Sequence, residues 1–123
     1  MNTNWHVDRS YTKMNELLSR LDKADWPTAV FCASDMLAIP AMRAVIENGG
    51  KIPEDIAIVG MDNIDVAQYT TPPLSSVSVP KYEIGRAAAK FIVDYLDSHY
   101  PPATKLLLPS SMIIRESSCM NRK

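Results

Sequence analysis

Two short polar motifs follow apolar runs of the chain, and they contain the residues best suited to bind a ligand. Ser34-Asp35 follows the apolar run 28–33, and Asp62-Asn63 follows a second apolar run, 56–61. Hydroxyl, carboxylate and amide groups together accept and donate several hydrogen bonds. Ser34, Asp62 and Asn63 could therefore hold the hydroxyl groups of a sugar or the edge of a base.

These polar residues also have structural interpretations. An acid between a strand and a helix can accept hydrogen bonds from the first N–H groups of that helix, and we predict this N-cap role for Asp35. No regular helical pattern follows Asp62, so ligand binding and a turn remain equally open for it. Trp5 could stack on a flat ligand face, or it could anchor the chain near its terminus.

Motifs that would indicate catalysis are missing from the sequence. It contains no G-x-S-x-G, G-x-G-x-x-G or G-x-x-x-x-G-K-S/T pattern, which removes the main support for hydrolase, dinucleotide and P-loop functions. His6 and His99 lack a second ligand at metal-binding spacing, and the segment from Asp62 lacks the glycine and glutamate of a calcium loop. We expect no catalytic residues, no metal and no cofactor.

Helical and strand patterns alternate in the first half of the chain. They predict a helix from Ser10 to Lys23, a strand at 28–33, a helix from Met36 to Asn48 and a strand at 56–61. Ser10 is the expected N-cap of the first helix. Such alternation predicts a three-layer α/β fold with a mostly parallel sheet and helices on both faces. Ligands bind at the carboxyl ends of such strands, which is where Ser34 and Asp62 fall.

The second half of the chain combines a polar loop with shorter elements. We predict a loop at 62–73, a short and more exposed strand at 75–79, a helix at 81–97, and β-like segments at 105–108 and 111–115. The polar tail from Glu116 to Lys123 is expected to fray. Pro40 should kink the second helix or mark its start, because proline lacks the N–H group that a helix interior uses.

Composition narrows the class of protein. The 123 residues are 46% hydrophobic and 22% charged, which is typical of one globular domain with a real core. Thirteen basic and 14 acidic residues give a net charge of −1, so we expect no DNA binding by this chain alone. Only two cysteines, no signal-peptide pattern and no apolar run of about 18 residues predict a reducing, cytoplasmic location away from membranes.

Three segments, in this order along the chain, resemble those of a known family. They are PTAVFCASD at 27–35, IPEDIAIVGMDN at 52–63 and TPPLSSV at 71–77. With further matches near 81–85 and 108–117, the chain resembles the effector-binding domain of the LacI/GalR family of transcription regulators. The resemblance implies that residues 1–123 are one partial domain, the C-terminal subdomain plus a crossover helix, of the type I periplasmic-binding-protein-like fold. It also implies that the DNA-binding helix-turn-helix and the N-terminal subdomain are absent.

The resemblance assigns roles to individual residues. Asp62 matches an acid that bonds effector hydroxyls or ring nitrogens, and Ser34 matches a polar position in the same cleft. Trp5 matches an aromatic residue that stacks on the ligand, and Asn63 adjoins the matched acid. The family's upstream effector-binding arginine has no counterpart, so effector binding by this chain is expected to be weak.

The helix at 81–97 carries an apolar stripe formed by Ile84, Phe91, Ile92 and Tyr95. By the resemblance, this helix packs on a subdomain that the chain lacks. We expect the stripe either to fold back on the chain's own sheet or to be covered by a second copy in a homo-oligomer, because a large exposed apolar patch marks an interface.

The leading prediction is therefore the effector-binding and dimerisation portion of a bacterial regulator that cannot read DNA alone. Two alternatives come from other classes. A truncated sugar-binding solute receptor has the same fold, although such a receptor normally carries a signal peptide. A small flavodoxin-like enzyme fits the number of elements but lacks a phosphate loop.

Overall fold

A computed structural model describes residues 6–97 and 105–119 of the chain. The described elements are, in order, α1 (Val7–Ser19), a 3-10 helix (Lys23–Asp25), β1 (Ala29–Phe31), α2 (Asp35–Glu47), β2 (Ala57–Met61), a 3-10 helix (Asp65–Tyr69), β3 (Ser75–Ser78), α3 (Lys81–Leu96) and β4 (Ser111–Ile113). They fall into two compact units. The first contains the described residues up to 78 and from 112 onwards, and the second those between 79 and 111.

The four strands form one sheet in the order β1-β2-β3-β4. β1 and β2 are parallel, with Phe31 paired to Val59, and β2 and β3 are also parallel, with Val59 paired to Ser75 and Met61 to Val77. The predicted α/β fold with a mostly parallel sheet is confirmed. The predicted segment 105–108 forms no strand.

The core of the first unit lies between the sheet and its helices. α2 packs on β2, and α1 packs on α2. Ile58, on the inner strand β2, and Met14, on α1, are fully buried. This packing explains why the apolar positions of α1 and α2 recur at helical spacing, because each helix buries only one face.

The start of α1 differs from the prediction. The helix begins at Val7, and His6 occupies the N-cap position without a side-chain cap bond. Ser10 is buried, and its Oγ atom donates a 2.6 Å hydrogen bond to the carbonyl oxygen of Leu37 in α2. The prediction of Ser10 as an N-cap was therefore wrong, because its hydroxyl joins two helices instead.

α2 continues through Pro40 from Asp35 to Glu47. The expectation that the helix would start near Pro40 was therefore wrong. Proline offers no N–H to the carbonyl of Met36, one turn earlier. Met36, in the first turn of α2, is 51% exposed.

The serines of β3 are more buried than predicted. Ser75 and Ser76 are both fully buried, although an exposed strand was expected. Each has hydrogen-bond partners, so its burial leaves no polar atom without a partner. Local alternation of serine and valine could not reveal these partners, because they lie 40 and 41 residues away in sequence.

The segment after β4 is anchored rather than frayed up to residue 119. Ser117 is fully buried. Its carbonyl accepts a 2.8 Å hydrogen bond from the N–H of Ile58, and its hydroxyl donates to the carbonyl of Ile58 at 2.6 Å. The same hydroxyl accepts from the N–H of Ser75 at 2.8 Å. Ser117 therefore links β2 to β3.

Candidate functional site

The carboxyl edge of the sheet brings together residues from neighbouring strands. Ser34 follows Phe31 by three positions and Asp62 follows Val59 by three, and Phe31 pairs with Val59. Parallel neighbours lie about 4.8 Å apart, so this register puts Ser34 and Asp62 at the same level of one edge. Ser78 comes next to Asp62 in the same way, because Met61 pairs with Val77. Ser78 was not singled out from the sequence.

Asp35 has a structural role that differs from the predicted one. The residue is fully buried, and Ser34, not Asp35, occupies the N-cap position of α2. One carboxylate oxygen of Asp35 accepts a 2.7 Å hydrogen bond from the Oγ atom of Ser76, and the other accepts from the N–H of Ile64 at 2.9 Å. The N-cap prediction was therefore wrong. Asp35 connects α2 to β3 and to the turn after β2.

The turn after β2 has an uncommon backbone conformation. Asp62 has φ +102° and Asn63 has φ +47°, in a region that residues with a Cβ rarely adopt. The N–H of Asp62 donates to the carbonyl of Val77 at 2.9 Å, and the N–H of Asn63 donates to the Oγ atom of Ser76 at 3.0 Å. Asp62 thus forms part of the turn, which is one of the two roles that the sequence left open. Its carboxylate makes no hydrogen bond within the turn.

The side chains of Ser34 and Asp62 differ from that of Asp35 in burial and in hydrogen bonding. Both residues are half-buried. Within residues 6–97 and 105–119, neither side chain has a hydrogen bond or an ion pair. Partly desolvated polar groups without a partner gain most from a ligand that supplies one. A carboxylate acceptor beside a hydroxyl suits a ligand with several hydroxyl groups.

Asn63 is committed to a protein contact through its side-chain oxygen. Its Oδ1 atom accepts a 2.8 Å hydrogen bond from the guanidinium of Arg115. The same guanidinium donates to the carbonyl of Leu74 at 2.6 Å. Sequence analysis did not select Arg115, and no local pattern points to it, because Asn63 lies 52 residues away.

The remaining predicted residues are Trp5 and the apolar stripe of α3. Trp5 is outside the described residues. The stripe residues Ile84, Phe91, Ile92 and Tyr95 lie on α3, in the second unit, and are between 37% and 61% exposed. No residue of α3 is buried. Within that unit, a groove of about 380 Å³ lies between α3 and the segment 106–110.

Neither a metal-binding cluster nor a membrane-spanning helix is present in the described residues. No group of three or more His, Cys, Asp or Glu side chains that could hold a metal ion occurs among them. None of the described helices combines the length and apolar character needed to cross a membrane.

Cys32 is the one buried thiol of the described chain. Burial, with a smaller effect of the nearby Asp35 charge, raises its pKa to about 11. A thiol with so high a pKa stays protonated at neutral pH and is therefore a poor nucleophile.

Comparison with known proteins identifies the family. A model described as a periplasmic binding protein-like domain matches residues 1–118. The chain belongs to this family. The periplasmic-binding-protein-like chain is 41% identical over 98 residues to the HTH-type transcriptional repressor CytR of Escherichia coli K12, covering 80% of the chain and 29% of CytR. It is 34% identical over 120 residues to the ribose operon repressor of Haemophilus influenzae, covering 95% of the chain and 36% of that repressor.

The solved structure of a transcriptional regulator is also similar to the chain. The complex of the transcriptional regulator CelR with cellobiose superposes with a TM-score of 0.83 at 35% identity, covering 93% of the chain and 34% of CelR. The resemblance to LacI/GalR regulators is confirmed, because these relatives are named as repressors or as a transcriptional regulator. The periplasmic-binding-protein-like chain spans about a third of the length of the relatives that it matches.

Proposed function

We propose that this chain is the effector-binding and dimerisation portion of a LacI/GalR-type transcription regulator. It corresponds to about a third of its relatives, and its net charge of −1 does not favour contact with DNA phosphates. We assign DNA reading to other parts of such a regulator, and we assign the regulator to the cytoplasm, where the genes are.

One observation carries the ligand-binding part of the proposal. Asp62 and Ser34 follow paired positions on two parallel strands, and both side chains lack partners in the described structure. Asp35, next to Ser34 in sequence, has both carboxylate oxygens engaged. The contrast between two acids that look alike in sequence supports a binding role for Asp62 and a structural role for Asp35.

The chemistry of the edge favours a polar ligand with several hydroxyl groups. An ionised carboxylate accepts hydrogen bonds strongly, so Asp62 suits sugar hydroxyls, and it also suits the N–H groups of a nucleoside or purine-like base. A sugar is favoured by the relative solved as a cellobiose complex. Ser34 and Asn63 would add donors beside Asp62, and Trp5 would stack on the ligand. We expect millimolar rather than micromolar affinity, because the edge supplies only one side of a cleft.

Titration of the isotopically labelled chain with ribose, cellobiose and adenosine, followed by NMR, tests this assignment. We expect shifts at Ser34 and at residues 62–64, and we expect Asp62→Ala to abolish them. Asp65→Ala is the matched control, because Asp65 is an exposed acid three residues away. Binding that is unchanged by Asp62→Ala would show that the site is wrongly assigned.

The dimerisation part rests on α3. Its stripe stays exposed in a single chain, and none of its residues is buried. A large exposed apolar patch marks an interface, so we take the second of the two predicted alternatives. We assign a second copy of this chain as the partner, associating through or exchanging α3.

A further inference from the structure

One side chain from the C-terminal segment holds the turn that carries Asp62. The Nη2 atom of Arg115 donates to Asn63 Oδ1 at 2.8 Å, and its Nη1 atom donates to the carbonyl of Leu74 at 2.6 Å. The two contacts span 52 and 41 residues of sequence. The planar guanidinium can make both bonds at once because its donors are fixed in a fork.

Arg115 itself is fixed through its backbone. Its N–H donates to the Oγ atom of Ser75 at 2.7 Å, and its carbonyl accepts from the same hydroxyl at 2.9 Å. Ser75 is fully buried at the start of β3. The guanidinium therefore extends from a backbone that cannot easily move, and its reach to Asn63 is set by the sheet.

The turn needs several contacts to keep its shape. Asp62 and Asn63 both have positive φ, a conformation that persists only where the surroundings determine it. Backbone N–H groups of the turn are held by Val77, Ser76 and Asp35. Within the described residues, Arg115 provides the hydrogen bond that holds a side chain of the turn.

We propose that Arg115 is a positioning residue for effector binding, acting through Asn63 to fix the direction of the Asp62 carboxylate. This inference rests on the proposed function. By this inference the C-terminal segment affects ligand affinity through Asn63, and Arg115 itself needs no contact with the ligand. A carboxylate fixed in advance binds more tightly, because less freedom is lost when the ligand arrives.

The first test needs no ligand. In the labelled chain, Arg115→Gln should shift the amide signals of Asp62 and Asn63 and move the amide coupling constant of Asn63 away from its positive-φ value. Arg20→Gln, which changes an exposed arginine at the end of α1, should leave both signals in place. Unchanged signals and coupling in Arg115→Gln would overturn the inference.

The second test is a double-mutant cycle, which measures affinity for whichever of cellobiose, ribose and adenosine binds most tightly. We expect Arg115→Gln to weaken binding about tenfold, the scale of one charge-assisted hydrogen bond. Asn63→Gly should weaken it at least as much, because glycine adopts positive φ freely but the variant loses both the bond from Arg115 and the amide beside Asp62. The double variant should be no weaker than Asn63→Gly alone, because Arg115 acts only through Asn63.

The outcomes separate the two proposals. If Asp62→Ala leaves the affinity unchanged, or if neither the two sugars nor adenosine binds, the proposed function fails, whatever Arg115→Gln does to the ligand-free turn. If Asp62→Ala weakens binding but Arg115→Gln does not, the positioning role is overturned and the site remains. Additive losses in the double variant, with matching losses in melting temperature, would show only a general structural role and would also overturn the inference.

Discussion

The Oδ1 atom of Asp35 lies 2.0 Å from the position that a Cβ atom would take on Gly60. The side chain of an acid on α2 thus occupies the space above the middle of β2. Gly60 is required there because any Cβ would overlap the carboxylate that accepts from Ser76 and Ile64. The glycine in this strand is explained by close packing rather than by flexibility.

Gly60→Ala should lower the free energy of unfolding by about 3 kcal/mol, because Asp35 must move and its buried hydrogen bonds weaken. Urea denaturation measures this loss. Gly85→Ala is the matched control, since a Cβ on Gly85 meets nothing within 4 Å and alanine favours a helix interior. Equal stability of the two variants would contradict the packing of Asp35 against β2.

Ser117→Ala should lower the free energy of unfolding by about 2 kcal/mol, because the N–H of Ser75 loses its partner in a buried position. Thermal unfolding followed by circular dichroism measures this change. Ser110→Ala, at an exposed position, should have almost no effect. If both variants melt at the temperature of the unmodified chain, the segment after β4 is not anchored as described.

Cys32 gives the chain a predicted loss of stability in alkaline solution. Its pKa rises from an ordinary 9.0 to about 11 on folding, so between these pH values the unfolded chain has lost a proton that the folded chain still holds. The free energy of unfolding therefore falls as the pH rises through this window. Urea denaturation at pH 8 and pH 10.5 should show a smaller fall for Cys32→Ala. The same fall in both chains would contradict the raised pKa.

Phe91→Glu should dissociate the homo-oligomer or unfold it, because a charge replaces an apolar side chain in the proposed interface. Light scattering should report a dimer or larger species for the unmodified chain. Tyr82→Glu is the control, since Tyr82 is exposed on α3 and outside the stripe. A stable monomer, with neither mass nor melting temperature changed by Phe91→Glu, would refute association through α3.

The sequence alone was sufficient for most of the elements and for the strand ends that Ser34 and Asp62 follow. Apolar runs and helical spacing predicted α2 and β2 to within a few residues, because burial of one helix face or of a whole strand leaves a periodic pattern. The position of Ser34 and Asp62 at strand ends followed from the same pattern. The choice of N-caps failed, since a serine or an acid near a helix start can bond elsewhere, and the segment 105–108 forms no strand.

The tertiary structure decided what each polar residue does. Asp35 and Asp62 both follow apolar strands, yet only Asp35 meets Ser76, 41 residues away. Ser117 reaches Ile58 across 59 residues, and Arg115 reaches Asn63 across 52. Such hydrogen bonds depend on which strands become neighbours and in which register. Periodicity in the sequence records burial but not partners, so the fold had to be known before a structural acid could be told from one free to bind a ligand.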